Sequence, residues 1–117
     1  EVSPNAVLLD ALIDNPTGDR ADMTADFDWD CPGIAWQTQR DEEQDRWRAL
    51  LIVPLAELFQ DGLASTTMPT RWRANFYRIE RPRDGEPEFS CWSSTQTQPA
   101  DCHKPGRFGV LDLAGLG

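Results

Sequence analysis

The residues of this chain that could do chemistry are few. His103 is the only histidine and stands beside Cys102 in "ADCHKPG"; Cys31 and Cys91 complete the cysteines. No two cysteines have CxxC spacing and only one histidine is at hand, so the tetrahedral soft-ligand set of a structural zinc site is not assembled. A thiol–imidazole nucleophile is not expected either, because residues adjacent in a strand point to opposite faces and nothing at a suitable spacing completes a triad. His103 with Met23 or Met68 has no spacing that recommends an axial haem pair. Asp14, Asp19, Asp22, Asp26, Asp28 and Asp30 offer hard oxygens, Asp26, Asp28 and Asp30 being the closest to a calcium set. Their spacing lacks the DxDxDG pattern of a dedicated loop, and they are read as a solvated acidic surface. No cofactor is expected.

The stretch "RWRANFYRIERPRDGEPEFSCWSS", Arg71 to Ser94, interleaves arginines with aromatics in the manner of a nucleic-acid surface. The whole chain argues otherwise. A formal charge of -9 over 117 residues, with pI near 4.4, repels phosphate backbones unless one basic patch works against the opposing field. The bland reading of Arg71, Arg73, Arg81 and Arg83 is that they solvate strand faces and pair with surplus carboxylates. Arg78 falls on the side of Trp72, Ala74 and Phe76, which makes it either a buried ion pair or a ligand-facing guanidinium. The longest apolar run, Ala49 to Phe59, is broken by Pro54 and Glu57 and is far short of a membrane span. One disulfide plus a spare thiol fits an exported protein, three free thiols a cytosolic one.

The elements that must position these groups read as strands. Asn5 to Asn15 has a period near two at its end; Pro16 to Gly33 is a loop rich in Asp, Gly, Pro and Thr. Ile34 to Gln39 alternates, Arg40 to Asp45 is a charged turn, and Arg46 to Pro54 reads as a largely buried strand stopped by a proline that lacks an N–H. "LAELF" supplies one or two helical turns, and Gln60 to Thr70 returns the chain through polar turn chemistry. "RWRANFYRIE" alternates as one strand with Trp72 and Phe76 in the core, Asp84-Gly85 turns a hairpin, and "EFSCWSS" pairs back. After the loop "TQTQPADCHKPG", Arg107 to Gly115 forms a closing strand. Trp47, Trp72 and Trp36 are read as core residues, and Trp29 in "DFDWDC" as the most exposed ring. About six strands with little helix predict an all-β fold, an antiparallel β-sandwich of immunoglobulin-like or jelly-roll-like type, in a single domain over residues 1–117.

Three pieces carry a family resemblance. "DRWRALLIVPLAEL", "RWRANFYRIERPRDGEPEFSCWSS" and "HKPGRFGVLDL" resemble, in order, the strands of the carbohydrate-binding module family 9 group, a DOMON-like β-sandwich found in exported bacterial proteins. "EVSPNAVLLDALIDN" and "FDWDCPGIAWQ" look like the preceding strands. The resemblance covers the C-terminal half or more of the family's domain, and so implies a partial sandwich incomplete at its N-terminus. It also implies an extracellular or periplasmic location, with the export signal upstream of Glu1. At the position of a family stacking ring it places Cys102 or, with a shift, His103.

Sugar binding needs a flat aromatic face against a pyranose and planar polar groups around its hydroxyls. The candidates are Trp92, Tyr77, Arg78, Asn75, Glu80, Trp29 and His103. The expected function is non-catalytic carbohydrate binding that targets an associated glycoside hydrolase or exported protein to a polysaccharide or oligosaccharide. The alternative is a structural sandwich without a glycan site, completed by partner strands or by self-association through unpaired edges. No nucleic acid, membrane span or catalysis by this chain is expected; a half-sized sandwich offers little cleft for paired glycosidase carboxylates.

Overall fold

The computed structural model describes residues 1–59 and 69–115. Most of the return segment Gln60 to Thr70, Met68 included, lies outside the described residues. The fold is all-β and antiparallel, an incomplete β-sandwich whose helical content among the described residues is three short 3₁₀ turns. Eight strands are described: β1 (Leu12–Asp14), β2 (Thr24–Asp26), β3 (Ala35–Asp41), β4 (Arg46–Ile52), β5 (Arg71–Ala74), β6 (Tyr77–Glu80), β7 (Glu88–Cys91) and β8 (Gly109–Asp112). They pair as four two-stranded ladders, β1 with β2, β3 with β4, β5 with β8 and β6 with β7. Two compact units hold them. The first contains Glu1–Asp14 and the chain from Thr24 through Phe59; the second contains Asn15–Met23 and the chain from Pro69.

In the first unit the β3–β4 hairpin forms where expected, from Ala35↔Ile52 to Asp41↔Arg46. Its turn is set by Asp41, whose Oδ1 accepts from the Gln44 N–H and whose Oδ2 pairs with Arg46 Nε at 3.2 Å. Trp36, Thr38 and Arg40, two residues apart, share a face and all donate to the turn at Pro4–Ala6. Trp36 Nε1 reaches the Ala6 carbonyl (2.9 Å), Thr38 Oγ1 the Pro4 carbonyl (3.2 Å) and Arg40 Nη2 Asn5 Oδ1 (2.8 Å). That turn, with Ala6 at φ 60°, breaks the strand expected over Asn5 to Asn15 and leaves a single Val2↔Leu8 bridge and β1. The loop Pro16 to Gly33 likewise contains one 3₁₀ turn, Arg20–Asp22, and β2.

Burial corrects the sequence reading. Among the described residues Cys31 is the only buried apolar one, its N–H held by Asp10 Oδ2 at 2.8 Å. β4, expected to be largely buried, exposes Leu50, Leu51 and Ile52, and Trp36 is exposed too. Leu50 and Ile52 face away from the Pro4–Ala6 strap, and a two-stranded ladder has no second layer with which to cover that side. The hydrophobic gain per residue is correspondingly a fraction of the roughly 1.5–3 kcal/mol that full burial of a large aliphatic side chain brings. Among the described residues no helix is long and apolar enough to cross a membrane.

In the second unit the single strand read from Arg71 to Glu80 is two. β5 pairs with β8 (Trp72↔Leu111, Ala74↔Gly109), while β6 pairs with β7 (Tyr77↔Cys91, Ile79↔Phe89). The break falls at Asn75-Phe76, and Asn75 causes it. Asn75 Oδ1 accepts from the N–H groups of Phe76 (3.0 Å) and Ser93 (2.8 Å), and Nδ2 donates to the Ser93 carbonyl (2.7 Å). A side-chain amide thus takes the place of a ladder rung. Phe76 is turned outward as a result, 60% exposed rather than in the core. The hairpin turn at Asp84-Gly85 lies where expected, within the loop from 81 to 87.

Candidate functional site

The β6–β7 hairpin presents Tyr77, Ile79, Phe89 and Cys91 on one face, because the pairs 77↔91 and 79↔89 alternate with 78↔90 and 80↔88. A cavity of about 250 Å³ lies against it in the second unit, closed on the other side by the loop residues Ser94–Thr97 and Ala100–Cys102. That volume suits one sugar ring rather than a stretch of chain, being below the span usual for drug-sized ligands.

The loop is held by its own side chains. Thr97 Oγ1 accepts from the Asp101 N–H (3.0 Å) and lies 3.1 Å from Thr95 Oγ1. Asp101 Oδ1 accepts from the His103 N–H (2.9 Å) and lies 3.4 Å from His103 Nδ1 and 3.5 Å from Arg20 Nη1. The His103 N–H, with help from the charges of Arg20, His103 and Lys104, outweighs desolvation and holds the Asp101 carboxyl below its ordinary range. Asn15–Met23 braces the far side: Asn15 Nδ2 donates to the His103 carbonyl (3.3 Å) and Lys104 Nζ to that of Gly18 (3.2 Å). Asn15 Oδ1 is buried without a partner among the described residues.

Of the residues singled out from sequence, Tyr77 and Arg78 line the cavity. The Tyr77 hydroxyl accepts from Asn75 Nδ2 (2.8 Å) and donates to the Cys102 carbonyl (2.9 Å), so its ring is a fixed wall, edge-on to Phe108 with centroids 6.4 Å apart. Burial pushes that hydroxyl up, more than the Asn75 bond lowers it. Arg78 is exposed rather than buried, and its Nε and Nη2 donate to Glu80 Oε2 at 2.9 and 2.7 Å. The pair offsets the like charges of Glu80 and Glu88, which are directly opposed across the strands. Asn75 spends its amide on the bend, and half-buried His103 is outside the lining. Trp92 also stands outside the cavity, 55% exposed, 5.7 Å from Phe76 and seated on Gly109. A Cβ at Gly109 would lie 2.5 Å from Trp92 Cζ3, so the glycine makes the seat. Trp29 belongs to the first unit and is half-buried; the exposed ring of its loop is Phe27.

Phe89, Cys91 and Asp101 were missed as lining residues. The first two follow from the hairpin's alternation once its register is known, whereas Asp101 sits in a polar loop with no periodic signal. Cys102 and His103, expected on opposite sides, lie together because the segment is a loop: Sγ is 3.7 Å from Nδ1 and 4.0 Å from Nε2. The closest approaches of Cys102 and Asp101 are to the same nitrogen, Nδ1, so the imidazole cannot bridge them as a base with an orienting partner does. Among the described residues no cluster of three or more His, Cys, Asp or Glu is arranged to hold a metal ion; Asp26 Oδ1 instead caps the Asp28 N–H at 3.0 Å.

The cavity is ring-walled and rimmed with hydroxyl, amide and carboxylate groups. Residues 31–113 match the model of carbohydrate-binding family 9, and the chain belongs to that family of non-catalytic modules. It is also similar to a curated "Extracellular protein" of Arthroderma benhamiae (strain ATCC MYA-4681 / CBS 112371), 32% identical over 102 residues. That match covers 80% of this chain and 44% of the relative, so the chain spans less than half the relative's length. No solved structure matches.

Proposed function

We propose that the chain binds a sugar ring in the second unit, in the cavity between the β6–β7 hairpin and the loop carrying Asp101, with Trp92 as an adjacent stacking platform. The observation that carries this reading is the cavity itself. Tyr77 and Phe89 give it apolar walls, while Ser90, Ser94, Thr95, Gln96, Thr97 and Asp101 supply donors and acceptors in a space of about one pyranose. Trp92, outside the cavity, offers a separate exposed ring in the same unit on which a sugar can stack.

A module of this kind serves by holding a polysaccharide near an exported protein or glycoside hydrolase that carries it. The relative's description as an extracellular protein supports an extracellular or periplasmic location. Affinity electrophoresis in gels containing soluble glucan or xylan tests the reading. Retardation of the wild type, reduced at least severalfold in Trp92→Ala and in Phe89→Ala, is expected. Migration unaffected by every polysaccharide in the panel would refute it.

A further inference from the structure

Among the described residues Asp101 is the one carboxylate on the cavity wall. Its side chain is only 12% exposed, and its oxygens are used unequally. Oδ1 takes the His103 N–H, the His103 ring and the Arg20 guanidinium. Oδ2 accepts no hydrogen bond from any described residue, and the closest approaches of Arg20 and His103 are to Oδ1. A half-used, partly desolvated carboxylate fixed in position by Thr97 and His103 is an acceptor awaiting a donor.

We infer that Asp101 Oδ2 accepts a hydroxyl of the bound sugar and makes the cavity selective for neutral rings over rings that carry a carboxylate. The inference rests on the carbohydrate reading above. An ionised carboxylate has acceptor sites alone, which suits a hydroxyl O–H and opposes a second carboxylate at hydrogen-bond distance. The neighbouring cations do not reverse that preference. Arg20 is 64% exposed and turned to Oδ1, Lys104 Nζ is tied to the Gly18 carbonyl, and neither lines the cavity. Arg78 does line it, but its guanidinium is bound to Glu80.

Asp101→Asn is a clean probe: Asn keeps an oxygen for the His103 N–H, which holds the amide in register, and replaces the free acceptor with a donor NH₂ group. Titrations of the wild type and of D101N with methyl glucoside and methyl glucuronoside at neutral pH, read by amide chemical shifts of cavity residues, decide the matter. The wild type is expected to bind the neutral glycoside about tenfold or more tightly than the acidic one, as for a charged hydrogen bond set against like-charge contact. In D101N the neutral glycoside weakens by a similar factor and the preference collapses. Equal wild-type affinities, or an unchanged preference in D101N, would overturn the inference while leaving sugar binding intact. If neither glycoside moves the cavity resonances, sugar binding at this cavity falls and the inference with it. Should D101N fail to fold, the wild-type ratio alone decides.

Discussion

Asn75 sets a local architecture with one amide: four hydrogen bonds from one side chain bend the chain, pin Ser93 and orient the Tyr77 hydroxyl. Asn75→Ala leaves the Ser93 and Phe76 groups without those partners, and a loss of about 2–4 kcal/mol is expected from two or three unmet groups at about 1 kcal/mol or more each. Chemical denaturation of the variant checks this; a loss below about 0.5 kcal/mol would show that the bend holds without the amide. Asp101 makes a second prediction at this scale. Because its folded-state carboxyl is held low, the ionised form stabilises the native state above the ordinary carboxylate range, and that stability is lost as pH falls through the folded value. Wild-type melting temperature should therefore drop more steeply than that of D101N between about pH 5 and pH 3. Parallel curves would contradict the assignment.

At the scale of elements, the β3–β4 hairpin depends on a strap that reaches only alternate residues of one strand. Trp36→Phe keeps an aromatic ring, though a smaller one, and removes the donor to the Ala6 carbonyl, at an expected cost of about 1 kcal/mol for the lost hydrogen bond. Hydrogen exchange should quicken at the strap's internal bonds, Val7 to Ser3 and Leu9 to Glu1; unchanged exchange would mean the strap is held by its other two anchors. The hairpins were legible from sequence because two-residue alternation and turn residues are local signals, and β3, β4, β7 and β8 begin and end within three residues of where those signals put them. The split of β5 from β6 was not legible: alternation runs unbroken through Asn75, and the partner that ends the strand, Ser93, is 18 residues away. The same limit hid Asp101, whose place on the cavity wall is set by Thr97, His103 and Arg20 rather than by any pattern around it. Burial was the weakest inference from sequence, since alternation tells which residues share a face but not whether a second layer covers that face.

For the molecule as a whole, family membership and the all-β antiparallel fold were legible from motif order, which is a long-range signal that needs no contact information. The exposed apolar residues of β4 fit the incomplete sandwich. Both cavity and platform lie in the second unit. The central claim is therefore local, and a map of amide and indole shifts during titration with cellobiose or xylobiose tests it most directly. Saturable shifts are predicted at Tyr77, Phe89, the segment 94–102 and the Trp92 indole, with residues of β3 and β4 unmoved. No shifts at millimolar sugar, or shifts confined to the β3–β4 unit, would contradict the account.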